Sequence, residues 1–111
     1  MNTASAAGRK ASWGQAAYVA AKHGVVGLTR QAAIEYVTDN IRVNAVAPGL
    51  VATPQFMSYP EEARNTYTAM MPSGRAAQPI EIANAMAWLL SDEASYVSGD
   101  TMLVDGASMQ K

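Results

Sequence analysis

The sequence contains no cysteine and only one histidine, His23, among its 111 residues. Disulfide frameworks, thiol catalysis and zinc sites built from cysteine and histidine are therefore excluded. The acidic residues are spread out or stand as surface-type neighbours, so we expect no metal site. His23 has no partner of the kind that a ligand or catalytic histidine needs, and we interpret it as a packing or surface residue.

Net charge and long apolar runs are equally scarce. The chain has 8 basic and 9 acidic residues, which gives a formal charge of −1. The basic residues are scattered, which argues against a nucleic-acid partner or a polybasic membrane anchor. No apolar run approaches the roughly 18 residues that span a bilayer, and the first residues lack the layout of a signal peptide. We therefore expect a cytoplasmic protein with neither nucleic acid nor membrane as a partner.

The apolar residues, half of the total, are spaced as in alternating helices and strands. The pattern predicts helices over residues 13–38, 60–70 and 79–91, strands over 41–47 and 101–104, and a third strand at 1–4. Ser12 is the predicted cap of the first helix. Strands joined through helices favour parallel crossover units, so the predicted fold class is α/β.

Several small or aromatic residues are interpreted through packing. Gly24 and Gly27 stand inside the first predicted helix, where each costs about 1 kcal/mol relative to alanine, and predict close packing onto a sheet or a partner helix. Trp13 and Trp88 are predicted to anchor the core or an interface.

Tyr18 and Lys22 stand four residues apart on the first predicted helix, so their side chains share one face. An ammonium beside a phenol favours the phenolate, by on the order of 4 kcal/mol at about 4 Å and an effective dielectric of about 20. The pair is therefore a candidate acid/base, provided that it is shielded from water. Ser5 precedes Tyr18 and offers a hydroxyl to a substrate oxygen, although a serine alone is more commonly a loop or capping residue.

Four blocks of sequence, in this order, resemble the short-chain dehydrogenase/reductase family: NTASAAG (2–8), YVAAKHG (18–24), IRVNAVAPG (41–49) and SGDTMLVDG (98–106). The resemblance implies an NAD(P)-dependent oxidoreductase, with NAD or NADP as cofactor, that moves a hydride between nicotinamide and a small-molecule alcohol or ketone. It also implies a homodimer or tetramer in the complete protein, with the helix of Gly24 and Gly27 packed against a second subunit.

The same resemblance implies a role for each matching residue. Ser5 would hydrogen-bond the substrate oxygen, Tyr18 would be the acid/base, and Lys22 would hold the nicotinamide ribose and favour the phenolate. The residues implied to bind the cofactor are Tyr18, Lys22, Pro48, Gly49, Val51 and Thr53.

The family pattern is matched only from about its fifth strand onward. The resemblance thus implies the C-terminal half of a Rossmann-like doubly wound parallel sheet, truncated and without the N-terminal βαβ dinucleotide-binding unit. We divide this partial domain into residues 1–49 with the Ser/Tyr/Lys block and a strand, 50–79 as a substrate lid, and 80–111 with the final helix and strand. In the lid, the residues expected to face the substrate or to pack the lid itself are Gln55, Phe56, Met57, Tyr67, Met70 and Met71.

Two functional hypotheses follow. The first is an oxidoreductase in which Tyr18 is the acid/base. The second is a truncated, catalytically inactive chain that acts as an interaction partner by pairing its exposed sheet edge with another chain.

Overall fold

The computed structural model describes residues 1–110, which form a three-stranded parallel sheet between helices. The strands are β1 (Asn2–Thr3), β2 (Ala45–Pro48) and β3 (Thr101–Val104), in the order β1-β2-β3. In the register, Ala45 pairs with Asn2 on one side and with Thr101 on the other. The predicted α/β class and parallel crossovers are confirmed, including the third strand at the start of the chain.

The helices are close to the predicted ones. They are α1 (Ala16–Tyr36), α2 (Pro54–Met57), α3 (Glu61–Ala69) and α4 (Pro79–Leu90), with 3₁₀ turns at Ala6–Gly8, Val37–Asp39 and Asp92–Ala94. The predicted cap at Ser12 is wrong, because α1 starts after Gln15, which makes no side-chain cap. Gly14, at a φ of +74°, turns the chain just before the helix and leaves Ser12 outside its first turn.

The strand predicted from residue 41 begins only at Ala45. The preceding residues bind the chain around Ser98 in another way: Val43 donates to the Ser98 hydroxyl at 3.2 Å and accepts from Gly99 N at 2.7 Å. The Asn44 side chain is buried and also bonds there, to Val97 O and Asp100 N. These side-chain bonds take the place of a regular ladder.

The core lies on both faces of β2. Ala45 and Ala47 point towards α1, where they form an apolar cluster with Ala4 and Val26. Val46 points to the other face and packs with Ile82 and Leu89 of α4. Since side chains of a strand alternate between faces, β2 is covered by helices on both sides and has no exposed residue.

Two polar side chains, one of them buried, join these layers. Thr29 of α1 is fully buried; its hydroxyl accepts from the Asn2 side chain at 3.0 Å and donates to Val25 O at 2.7 Å. Arg42 donates to the carbonyls of Leu89 (2.8 Å) and Ser91 (3.0 Å) at the end of α4. The first contact joins β1 to α1, and the second joins the β2 segment to α4.

Several packing predictions need correction. Trp13 is fully exposed and Trp88 is 38% exposed, so Trp13 is not a core anchor. A Cβ placed on Gly24 or Gly27 meets nothing within 4 Å, so these glycines do not pack onto the sheet. They face outward because the buried side of α1 is formed by Val26, Thr29 and Ala33. His23 is exposed, which confirms it as a surface residue.

In residues 1–110, no helix combines the length and apolar character needed to cross a membrane. Within the same part of the chain, histidine and carboxylate side chains nowhere gather in the groups of three that could hold a metal ion.

Candidate active site

An open cleft of about 780 Å³ lies at the carboxyl ends of β1 and β2. This is the edge of a parallel sheet where ligands bind in α/β folds. Its lining includes Ser5 after β1, Tyr18 of α1, Pro48 and Gly49 at the end of β2, and Thr53 of the segment that follows. The structure therefore brings together five of the seven site residues predicted from the sequence.

Ser5 is held by the 3₁₀ turn that follows it. It has extended backbone geometry and caps the turn, and its Oγ accepts a hydrogen bond from Ala7 N at 3.1 Å. Because a lone pair of the oxygen is occupied by this backbone donor, the hydroxyl proton remains available for an acceptor in the cleft.

The turn containing Ser5 packs tightly against α1 through Gly8. A Cβ on Gly8 would lie 2.7 Å from the carbonyl oxygen of Lys22, closer than real Cβ contacts allow. Glycine is thus required for the approach of the two backbones, and this approach sets the position of Ser5 relative to the helix that carries Tyr18.

Tyr18 and Lys22 face each other as their spacing predicts. The Lys22 ammonium lies 5.6 Å from the centroid of the Tyr18 ring and donates to Thr3 O at 2.9 Å. Tyr18 lines the cleft and is 48% exposed, whereas Lys22 does not line it. The lysine is therefore anchored between β1 and the tyrosine.

Thr53 and Val51, in the segment after β2, differ in their relation to the cleft. Thr53 caps α2, with its Oγ1 accepting from Phe56 N at 3.3 Å, which leaves the hydroxyl proton for another partner. Val51 does not line the cleft. It forms an isolated parallel bridge with Ala77, and its side chain packs with the α4-side cluster of the core.

Aromatic side chains of residues 50–79 form a wall of the cleft. Phe56, Tyr59 and Tyr67 contact each other with ring centroids 6.1 to 6.4 Å apart, and all three line the cleft together with Met71. Tyr59 was not among the lid residues that sequence reasoning singled out. Its position between two short helices gave no periodicity that could have indicated it.

An ion pair joins the end of the lid segment, residues 50–79, to the first turn of α4. Arg75 and Glu81 form a bidentate ion pair with two distances of 2.7 Å. The Arg75 guanidinium, followed by the backbone N–H of Gln78, lowers the pKa of Glu81 to about 2. The pair fixes the point at which the lid segment joins the helix.

Two further lining residues were missed by sequence reasoning. Lys10, in the loop before α1, and Ser108, in the turn after β3, both line the cleft, and the Lys10 ammonium lies 3.5 Å from Ser108 O. They are 98 positions apart, so no local pattern could have brought them together.

Comparison with known proteins identifies the family of the chain. A family model described as enoyl-(acyl carrier protein) reductase matches residues 1–107. The chain belongs to the short-chain dehydrogenase/reductase family. It is 48% identical over 111 residues to cyclohexanol dehydrogenase of Acinetobacter sp. (strain SE19), and 44% identical over 108 residues to meso-2,3-butanediol dehydrogenase of Serratia marcescens.

These short-chain dehydrogenase/reductase relatives are longer proteins. The matches cover 100% and 97% of this chain but 43% of each relative. The fold is also similar to that of 4-hydroxyisoleucine dehydrogenase complexed with NADH, with a TM-score of 0.90 and 32% identity over 99% of this chain and 46% of that one. The predicted family and the Rossmann-like fold are thereby confirmed, and the chain spans less than half the length of these proteins.

Proposed function

We propose that the protein carrying this chain is an NAD(P)-dependent oxidoreductase that transfers a hydride between nicotinamide and the alcohol or carbonyl carbon of a small molecule, with Tyr18 as the acid/base. The observation that carries the proposal is the meeting of Ser5, Tyr18 and the Pro48–Gly49 corner in one cleft. The proposal is further supported by the dehydrogenases and reductases among the relatives.

Ser5 and Lys22 have hydrogen-bond partners that suit their proposed roles, and Tyr18 lines the cleft. Ser5 accepts from Ala7 N and therefore directs its own proton to a substrate oxygen. As the phenolate, Tyr18 takes the proton of an alcohol during oxidation, and as the phenol it gives that proton to a carbonyl oxygen during reduction. Lys22 stands one helical turn away, and its bond to Thr3 O holds its ammonium 5.6 Å from the centroid of the Tyr18 ring.

The hydrogen-bond donors in the cleft, together with Lys22 beside it, fit a nicotinamide cofactor. A bound nicotinamide accepts or gives the hydride. Of the three ammonium protons of Lys22, one is directed to Thr3 O, which leaves two for ribose hydroxyls. The Thr53 hydroxyl proton suits a carboxamide oxygen, since its lone pair already caps α2. We assign Tyr18, Lys22, Pro48, Gly49, Val51 and Thr53 to cofactor binding, with Val51 acting through its backbone because its side chain packs in the core.

The residues that would seat the pyrophosphate are proposed to come from outside this sequence. The sequence contains no Gly-x-x-x-Gly-x-Gly pattern. Whether the coding sequence upstream of Met1 encodes a Thr-Gly-x-x-x-Gly-x-Gly turn separates this proposal from the inactive alternative. We expect the 111-residue chain alone to bind NAD(H) or NADP(H) weakly or not at all. Micromolar affinity of the isolated chain for either dinucleotide would contradict the proposal that the pyrophosphate-binding residues lie outside this sequence.

The decisive experiment is Tyr18→Phe in the whole protein. Loss of the acid/base group is expected to lower turnover by about 10² to 10⁴ with little change in cofactor affinity. Tyr36→Phe is the matched control, because Tyr36 is another half-exposed tyrosine at the far end of α1, away from the cleft. Unchanged rates in Tyr18→Phe would remove the proposed mechanism.

We also propose that the whole protein is a homo-oligomer, because α1 presents an outward face with nothing against it. Gly24 and Gly27 are open, and Leu28 and Ile34 are 63% and 74% exposed. Sedimentation of the whole protein is expected to give a dimer or tetramer that Gly24→Leu dissociates. A monomer at micromolar concentration would refute this.

The alternative, an inactive interaction partner, has one supporting observation. β1 is an edge strand of only two residues, with no neighbour on its outer side in residues 1–110. If the sequence upstream of Met1 encodes no dinucleotide-binding turn, pairing of this edge with another chain becomes the better proposal.

A further inference from the structure

Among residues 1–110, the cleft contains one charged side chain, that of Lys10. The other lining residues are small, hydroxyl-bearing, amide, aromatic or aliphatic, and none of them carries a carboxylate. Within residues 1–110, the charge at this wall therefore comes from a single ammonium.

The contacts of Lys10 leave its ammonium without an acidic partner in residues 1–110. Its contact to Ser108 O, at 3.5 Å, is long for a hydrogen bond. Within that part of the chain, the ion pair that forms joins Arg75 to Glu81 instead.

The acid closest in sequence to Ser108 is also committed elsewhere. Asp105 accepts from Ala107 N at one oxygen, and from the Ser108 hydroxyl and Met109 N at the other, at 2.9 to 3.1 Å. Both oxygens of Asp105 are thus used to build the turn after β3. This turn presents the Ser108 carbonyl to the cleft and keeps the carboxylate away from Lys10.

Lys10 is attached to a well-anchored stretch of backbone. On one side Gly8 packs against the Lys22 carbonyl, and the neighbouring Arg9 donates to Thr101 O at 3.3 Å. The ammonium therefore projects from a fixed point of the cleft wall, while the aromatic wall supplies an apolar surface through Phe56, Tyr59 and Tyr67.

We infer that Lys10 binds an anionic group of the substrate, so that the cleft prefers hydroxy or oxo acids with an apolar body to neutral or cationic alcohols of the same shape. The inference rests on the proposed function for its substrate chemistry, but it concerns a residue that is not part of the proton-transfer set.

Binding tests the inference without any turnover. In ligand-detected NMR titrations of the 111-residue chain, cyclohexanecarboxylate is expected to bind about fivefold more tightly than the isosteric neutral cyclohexanecarboxamide, the effect of one unit charge pair about 4 Å apart in water. Lys10→Gln removes this preference. Arg30→Gln is the matched control, because it removes the same charge from the exposed surface of α1 and is expected to leave the preference intact. An equal preference in Lys10→Gln and wild type, or none in wild type, overturns the inference.

Turnover separates this inference from the proposed function. With the whole protein, the ratio of kcat/KM for cis-4-hydroxycyclohexanecarboxylate to that for cyclohexanol is expected to fall about fivefold in Lys10→Gln and to be retained in Lys10→Arg. Turnover of both alcohols with a ratio that Lys10→Gln leaves unchanged overturns the Lys10 inference alone. Carboxylate binding that depends on Lys10, without oxidation of any alcohol, supports the inference and overturns the proposed function.

A cofactor phosphate is the other source of negative charge that Lys10 could meet. NADH titration of the whole protein distinguishes the two, since Lys10→Gln is expected to leave the dinucleotide Kd unchanged. A fall in NADH affinity as large as the loss of carboxylate affinity would assign Lys10 to the cofactor and overturn the inference.

Discussion

Replacing Gly8 with alanine tests the contact that positions Ser5 against α1. The added Cβ would lie 2.7 Å from the Lys22 carbonyl oxygen and 3.0 Å from its carbon, so it meets rigid backbone and not the end of a flexible side chain. Overpacking of this kind costs about 1–3 kcal/mol. Because a domain of this size has a free energy of unfolding of about 5–15 kcal/mol, the loss is a large share of the total.

The assay is urea unfolding of the chain followed by circular dichroism, at a concentration at which the chain is monomeric. Gly24→Ala, on the outward face of α1, is the matched control. Its Cβ meets nothing within 4 Å, so the gain in helix propensity is expected to stabilise the chain by about 0.5–1 kcal/mol. The two glycine-to-alanine substitutions thus change stability in opposite directions.

The result that refutes the reasoning is equal stability of Gly8→Ala and wild type. Such a result would mean that the 3₁₀ turn moves away from α1 at no cost, and the structure would then not fix Ser5 relative to Tyr18. In the whole protein, Gly8→Ala is also expected to lower kcat, because the turn must shift away from the helix to relieve the contact.

Three other perturbations follow from named contacts. The pKa of Glu81 is lowered to about 2 from an ordinary value of 4.5, so its ion pair with Arg75 stabilises the fold fully above about pH 5 and is lost as pH falls towards 2. Denaturation of wild type and Glu81→Gln at several pH values should therefore show a stability difference that vanishes over that range. A difference that stays constant with pH would contradict the assignment. Thr29→Val keeps the side-chain volume but leaves the Asn2 amide without its acceptor, and is expected to lower the free energy of unfolding by about 1–3 kcal/mol. Thr29→Ser is expected to retain the hydrogen bond, and thermal unfolding of the two variants compares them. Arg42→Met removes donors to the end of α4 and is expected to destabilise the chain by about 1.5–3 kcal/mol by the same measurement, with no change counting against the bridge.

The secondary structure was largely predictable because its signals are local. Pro79 and Glu81 mark the start of α4, and the Ser98–Gly99 turn marks the approach to β3. The errors lie where tertiary contacts override local pattern. The strand starts late because Asn44 and its neighbours bond to the chain near Ser98, 53 or more positions further on.

The candidate site was predictable in part for the same reason. Tyr18 and Lys22 lie one helical turn apart, so their contact follows from helix geometry alone. Ser5 was singled out by its place in a family motif, and the cleft brings it to the same site as Tyr18. Lys10 and Ser108 follow neither route, since they meet only after β1 and β3 have taken their places in the sheet.

Glycine illustrates why a sequence alone cannot assign every residue. Gly8 and Gly24 both stand in blocks that resemble the same family, and composition treats them alike. In the structure one of them meets a backbone carbonyl at 2.7 Å and the other meets open space. The difference arises from the crossover that lays α1 over β1 and β2, a contact between segments that have no sequence feature in common. A glycine in the sequence therefore shows only that a side chain is absent. Whether that absence is required depends on how closely other segments pack against it in the fold.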